Sequence, residues 1–143
     1  MAGRATFVRV VLVTLSVALA TLLLPGRDEE AAPAGPLRGL HVGLVFDVGG
    51  RGDKSFNDAA YEGVSRAARE LGVTVELLEP SGAEDREAAL RLFAARSFDL
   101  VIGVGFIFST DVNEVARDFP AAKFACVDYA PAPGGPIPAN VVG

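Results

Sequence analysis

His41-Val-Gly-Leu-Val-Phe-Asp-Val-Gly-Gly-Arg-Gly-Asp-Lys-Ser-Phe-Asn-Asp58 is the stretch on which the fold turns. Val42, Leu44 and Phe46 alternate with Gly43 and Val45 in a run that is apolar on both sides, the pattern of a strand buried on both faces of a parallel sheet. The run stops at Asp47, turns through glycines, and continues as a helix from Ser55. Open α/β sheets bind ligands outside the carboxyl ends of their strands, so Asp47, Phe56 and Asn57 lie where a small molecule is expected.

Downstream, strand and helix patterns alternate. Phe56, Ala60, Val64, Ala67 and Leu71 recur at helical spacing, while Glu62, Arg66, Arg69 and Glu70 fall mostly on the other side. Ser55 is expected to cap this helix, with Asp58 as a short capping-box partner, and Gly72 to end it. Residues 73–78 form a strand closed by Pro80-Ser-Gly82, and residues 84–95 a helix whose apolar side includes Ala89, Leu90 and Phe93. Residues 99–104 are the next buried strand, and Gly105-Phe106 leads out of its carboxyl end. Ser109 or Thr110 is expected to cap a short helix through Val112, Val115 and Ala116 that Pro120 stops. Residues 123–127 deliver Asp128 to the same edge. The proline-rich segment 130–138 is a loop, after which Asn140-Val-Val142 offers the start of another strand. Right-handed crossovers fold this β-α-β-α-β-α-β order into a parallel sheet with helices on both faces. Asp47, Gly105 and Asp128 then open on one side, where a cleft is expected.

Composition narrows the function. A chain of 143 residues has room for one domain of ordinary size, and 50% hydrophobic content is ample for its core. A net charge of −5 with no cluster of Lys and Arg argues against a nucleic-acid partner. With Cys126 the single cysteine and His41 the single histidine, neither a disulfide nor a metal centre is expected. Two carboxylates facing one cavity, without a histidine partner, an activated nucleophile or a metal set, do not make an enzyme. Gly50-Arg-Gly-Asp-Lys-Ser55 lacks both the glycine directly before lysine of a phosphate loop and the third glycine of a dinucleotide fingerprint, so no cofactor is expected. Cys126, inside an apolar strand, reads as a buried inert thiol.

At the other end, Arg4 and Arg9 precede an uncharged apolar run over residues 10–24, closed by Pro25-Gly26 and the charged residues 27–30. Residues 1–26 therefore read as a signal peptide or an N-terminal membrane anchor, and cleavage could follow Ala20 or Ala34. Residues 27–38 have the composition of a linker, leaving 39–143 as the folded part.

The run Val45-Phe-Asp-Val-Gly-Gly-Arg-Gly-Asp-Lys-Ser-Phe-Asn57, with Glu62-Gly63 following, resembles the opening signature of the basic membrane protein family. These are bacterial substrate-binding proteins for ABC importers, related to the purine nucleoside receptors. Val101-Ile-Gly-Val-Gly-Phe106, Lys123-Phe-Ala-Cys-Val-Asp128 and Asn140-Val-Val-Gly143 are similar to it as well. The resemblance implies a type I periplasmic-binding-protein-like lobe, here truncated so that residues 39–143 hold an incomplete first lobe. It implies an exported protein, periplasmic or membrane-associated on the outer face, that serves an ABC permease and ATPase complex. Many members carry a cysteine just after the apolar run, and this chain has none there.

It also implies that Asp47, Phe56, Asn57 and Asp128 contact a nucleoside, and the strand-end position adds Gly105 and Phe106. The chemistry suits that ligand: a phenylalanine face stacks on a base, asparagine offers donor and acceptor, and a carboxylate accepts from amino or imino groups. Each residue has a plainer reading. Phe56 could begin the core stripe of its helix, Asp47 and Asp128 could be turn or capping aspartates, and Asn57-Asp58 could satisfy free amides of the first helical turn. A membrane-anchored ligand sensor of the same fold, or a fragment with no function alone, are the alternative readings of the whole.

Overall fold

The computed structural model describes residues 35–143, so the signal or anchor expected over residues 1–26, and the linker as far as residue 34, lie outside the described residues. The elements are β1 (His41–Val45), α1 (Phe56–Leu71), β2 (Thr74–Leu78), α2 (Asp85–Ala95), β3 (Leu100–Val104), a 3-10 turn (Phe106–Phe108), α3 (Ser109–Asp118), β4 (Lys123–Val127) and β5 (Val141–Val142). Every strand pairing is parallel, in the order β2-β1-β3-β4-β5. From β1 the chain steps outward to β2, then crosses back to build β3, β4 and β5 on the other side. The winding therefore reverses between β1 and β3, which in open α/β sheets opens a crevice at the carboxyl edge.

Strand alternation divides the core in two. Leu44, Phe46 and Val104 face α1 and bury Val64, with Ala60 and Tyr61 packed against them. Val45, Val101, Phe124 and Cys126 face the opposite way, against Leu90 and Phe93 of α2 and Phe108, Val112 and Val115 around α3. Burial of each such phenylalanine contributes about 1.5–3 kcal/mol. Two strand glycines let rings lie directly on the sheet: a Cβ at Gly43 would sit 2.5 Å from Phe93 Cδ2, and one at Gly103 2.8 Å from Phe108 Cγ.

Both expected helix starts differ in detail. Ser55 occupies the cap position of α1, yet its side chain makes no capping hydrogen bond. Instead Asp53 accepts from the backbone N–H groups of Ser55 (2.8 Å), Asn57 (3.0 Å) and Asp58 (3.2 Å). One carboxylate satisfies several free amides where a hydroxyl would satisfy one. Asp58 turns back to accept from Gly52 N–H and Lys54 N–H rather than pairing with Ser55. At α3, neither Ser109 nor Thr110 caps, because the 3-10 turn runs straight into the helix and Phe108 N–H donates to Gly105 O at 3.1 Å. The hydroxyl of Ser109 is thereby released for another use. At the other end of α1, Gly72 adopts φ 78° and donates to Ala68 O, the helix stop expected there.

Candidate functional site at the strand ends

The register sets up the site. Val45 is opposite Gly103, and Gly103 is opposite Cys126, so β1, β3 and β4 end in line. Two residues further on, Asp47, Gly105 and Asp128 continue that row across the reversal point. At the roughly 4.8 Å spacing of adjacent strands, the Asp47 and Asp128 backbones flank Gly105 about 10 Å apart. The middle position is tight on one side: a Cβ on Gly105 would lie 3.3 Å from Asp47 Oδ2, so that carboxylate would have to shift by a few tenths of an ångström. Gly105 N–H also donates to Val127 O at 3.1 Å, tying the exits of β3 and β4 together.

Asp47 is half-buried. Its N–H donates to Asn57 Oδ1 at 3.0 Å, and its own Oδ1 accepts from Val48 N–H. Asn57 is 3% exposed, so this bond fastens the first turn of α1 to the end of β1. That corrects the plainer reading of Asn57: it satisfies the strand-exit amide of Asp47 rather than the helix's own. The Asn57 Nδ2 group has no hydrogen-bond partner among the described residues.

Phe56 is 52% exposed and Phe106 61% exposed. Helical spacing groups Phe56 with Ala60 and Val64, but the first turn of α1 leaves its ring outside the core, so the reading of Phe56 as a core residue does not hold. Asp128 is exposed and adopts φ 58°, in the left-handed region, directly after β4.

The connection between β1 and α1 is held by its own side chains. Arg51 is tied to Glu79 through its N–H (3.3 Å) and its guanidinium (3.7 Å). The Ser55 N–H foremost, with those of Asn57 and Asp58, holds the Asp53 carboxyl below its ordinary pKa. Asp53 thus organises the loop that carries Phe56 and Asn57. The only sequence signal for this was an acidic residue two places before a helix start.

Ser109, expected only as a candidate helix cap, has a different role. It is 3% exposed, its hydroxyl donates to Phe106 O at 2.6 Å and accepts from Ala130 N–H at 2.9 Å. Its second partner lies 21 residues away, so no local pattern announces it. Nearby, Cys126 Sγ donates to Gly105 O at 3.4 Å, and burial pushes the thiol up to about 11. Cys126 is buried, as expected of a thiol inside an apolar strand.

A cavity of about 840 Å³ lies at the opposite end of the sheet, between Leu37, Leu40, Val42, Leu71, Phe98 and Phe119. It is largely apolar and shares no residue with the Asp47–Gly105–Asp128 row. Among the described residues no group of three or more His, Cys, Asp and Glu is arranged to hold a metal ion. The carboxyl edge instead offers exposed aromatic faces, two carboxylates and an amide donor. Such a set can hold a planar polar molecule by stacking and hydrogen bonds.

Comparison with known proteins agrees with this architecture. The family described as ABC transporter substrate-binding protein, PnrA-like, matches residues 40–141. An uncharacterized lipoprotein of Pyrococcus horikoshii is 47% identical over 92 residues, covering 64% of this chain and 23% of its own. The ABC transporter nucleoside-binding protein BmpA of Lactococcus lactis is 26% identical over 93 residues, covering 62% of this chain and 26% of its own. The crystal structure of an ABC transporter system solute-binding protein from Aeropyrum pernix superposes with a TM-score of 0.63 at 39% identity, over 71% of this chain and 27% of that one. The chain spans about a quarter of the length of the curated relatives it matches. With a parallel sheet of matching topology and a family match over residues 40–141, the chain belongs to the PnrA-like family of ABC transporter substrate-binding proteins.

Proposed function

We propose that residues 39–143 form the first lobe of an extracytoplasmic nucleoside-binding protein, which captures its ligand at the carboxyl edge of the sheet and hands it to an ABC permease and ATPase complex. The observation that carries the reading is the row Asp47–Gly105–Asp128 at the reversal point, flanked by two phenylalanines that remain exposed. Rings left about half exposed forgo roughly half of the ~1.5–3 kcal/mol that full burial supplies, which a stacked base would restore. In this reading Phe56 and Phe106 supply stacking faces. Asp47 and Asp128 accept hydrogen bonds from the base or sugar, and Asn57 donates through Nδ2 while its Oδ1 holds the loop in place. Gly105 keeps the floor of the site clear for the ligand. The description of the Lactococcus lactis relative as a nucleoside-binding protein supports the ligand class. Those of the Pyrococcus horikoshii relative, a lipoprotein, and of the family support an extracytoplasmic location at the membrane. Residues 1–26 act here as signal or anchor. Ligand is bound without being transformed, between this lobe and a second one that closes on it by a hinge.

The test is a chimera in which residues 40–141 replace the corresponding part of the Aeropyrum pernix solute-binding protein, titrated calorimetrically with adenosine, guanosine, inosine and cytidine. Saturable binding of at least one nucleoside, lost on Phe56→Ala or Asp128→Ala, is the expected result. A folded chimera silent toward all four overturns the nucleoside reading.

A further inference from the structure

We propose that Ser109 is a positioning residue of this ligand site, a hydroxyl clamp that locks the turn bearing Phe106 to the turn bearing Asp128. The proposal rests on the strand-end site proposed above and goes further by naming what sets its geometry. Ser109 is one of two buried polar residues in the described part of the chain, the other being Asn57. Its hydroxyl is used in both directions, donating to Phe106 O and accepting from Ala130 N–H. The first bond is local, back to the 3-10 turn that leads into α3, and the second reaches 21 residues along the chain. What the two bonds join is the exit of β3 and the exit of β4.

The conformation at Asp128 gives the clamp its purpose. Asp128 is one of three non-glycine residues at positive φ among the described residues, at 58°, a left-handed conformation that aspartate adopts more readily than most residues and that fixed surroundings hold in place. Here both flanks are pinned. On one side Val127 O accepts from Gly105 N–H at 3.1 Å. On the other, Ala130 N–H is held by Ser109 at 2.9 Å, and Tyr129 Oη donates to Asn113 Oδ1 at 2.6 Å. Asp128 is suspended between fixed points on β3 and α3, so the backbone that carries its carboxylate is set before any ligand arrives. Such preorganisation raises affinity by removing the ordering cost from the binding step.

Amide exchange and the three-bond HN–Hα coupling of Asp128 are to be measured by NMR on the full chain, as wild type and as Ser109→Ala, Ser109→Thr and Tyr129→Phe. Nucleoside affinity is to be measured on the chimera carrying the same substitutions. Ser109→Ala should speed exchange at Ala130 at least tenfold, shift the Asp128 coupling and weaken the bound nucleoside about tenfold. Ser109→Thr should restore all three, and Tyr129→Phe should weaken binding severalfold with its ring still in place. Circular dichroism establishes that each variant is folded. Unchanged exchange and coupling in Ser109→Ala would show that there is no clamp. Altered exchange with unaltered affinity would make the clamp purely structural, and either result overturns the proposal. An unsubstituted chimera that binds none of the four nucleosides is a separate failure, that of the cleft reading itself, and removes the positioning role with it.

Discussion

Alanine at Gly105 places the candidate site under direct strain. Gly105 has φ 101° and ψ 149°, a conformation confined almost entirely to glycine, and another residue forced to keep it costs about 1–3 kcal/mol. The new Cβ would also press on Asp47 Oδ2 from 3.3 Å, requiring that carboxylate to give way. Relaxation is opposed on both sides. Gly105 N–H is bonded to Val127 O at 3.1 Å, while Gly105 O accepts from Phe108 N–H at 3.1 Å and from Cys126 Sγ at 3.4 Å. The expected loss is therefore about 2–3 kcal/mol, toward the upper end of the strain range. With a urea m-value of about 1–3 kcal/mol/M for a small domain, the unfolding midpoint should fall by about 1 M. Gly63→Ala is the control of opposite sign. It lies inside α1 with nothing within 4 Å of its added Cβ, so replacing it should stabilise the helix by about 0.5–1 kcal/mol. Urea titration followed by circular dichroism reads both. A Gly105→Ala midpoint equal to wild type would refute the reasoning, as would an equal fall in Gly63→Ala.

Other outcomes are open to measurement. Asp53 has its folded pKa depressed below the 3.8 of a free carboxyl, so the stability it contributes is present above that value and lost as pH falls through the lower folded one. Between roughly pH 5 and pH 2 the urea midpoint should fall more steeply for wild type than for Asp53→Asn, and parallel curves would contradict this. Asn140 Nδ2 donates to Ala116 O (3.1 Å), Phe119 O (3.2 Å) and Ala122 O (2.9 Å), bracing the loop between α3 and β4. Asn140→Ala should cost about 1–3 kcal/mol and lower Tm by several degrees in a thermal scan; an unmoved Tm would count against the brace. Cys126, buried and pushed up to about 11, should resist an aromatic disulfide reagent at neutral pH in the native protein and react at once in urea. Rapid labelling of folded protein would mean that β4 opens readily.

Much of the fold was legible because its signals are local. The apolar run at residues 42–46, the helical stripe through Val64 and the buried trio Ala89, Leu90 and Phe93 each follow from periodicity that neighbouring residues carry among themselves. Gly72 stops its helix for an equally local reason. What escaped was the capping at two helix starts. The favourable cap of α1 came from Asp53 rather than Ser55, since a carboxylate that reaches three amides outcompetes a hydroxyl that reaches one. The 3-10 turn ahead of α3 relieved Ser109 of any capping task, and its true partner on the β4 exit lies far along the chain.

The sequence by itself determined the β-α-β order, the parallel sheet, and the identity of the residues that follow each strand, because crossover handedness and hydrophobic period leave few other solutions. Only the tertiary structure decided how those residues meet. The register that aligns Asp47, Gly105 and Asp128, the exposure of Phe56, the bond from Asp47 N–H to Asn57, and the clamp at Ser109 depend on contacts between segments distant in the chain. Local propensity cannot encode such contacts. They come into being when the strands pair, and pairing is a property of the folded sheet.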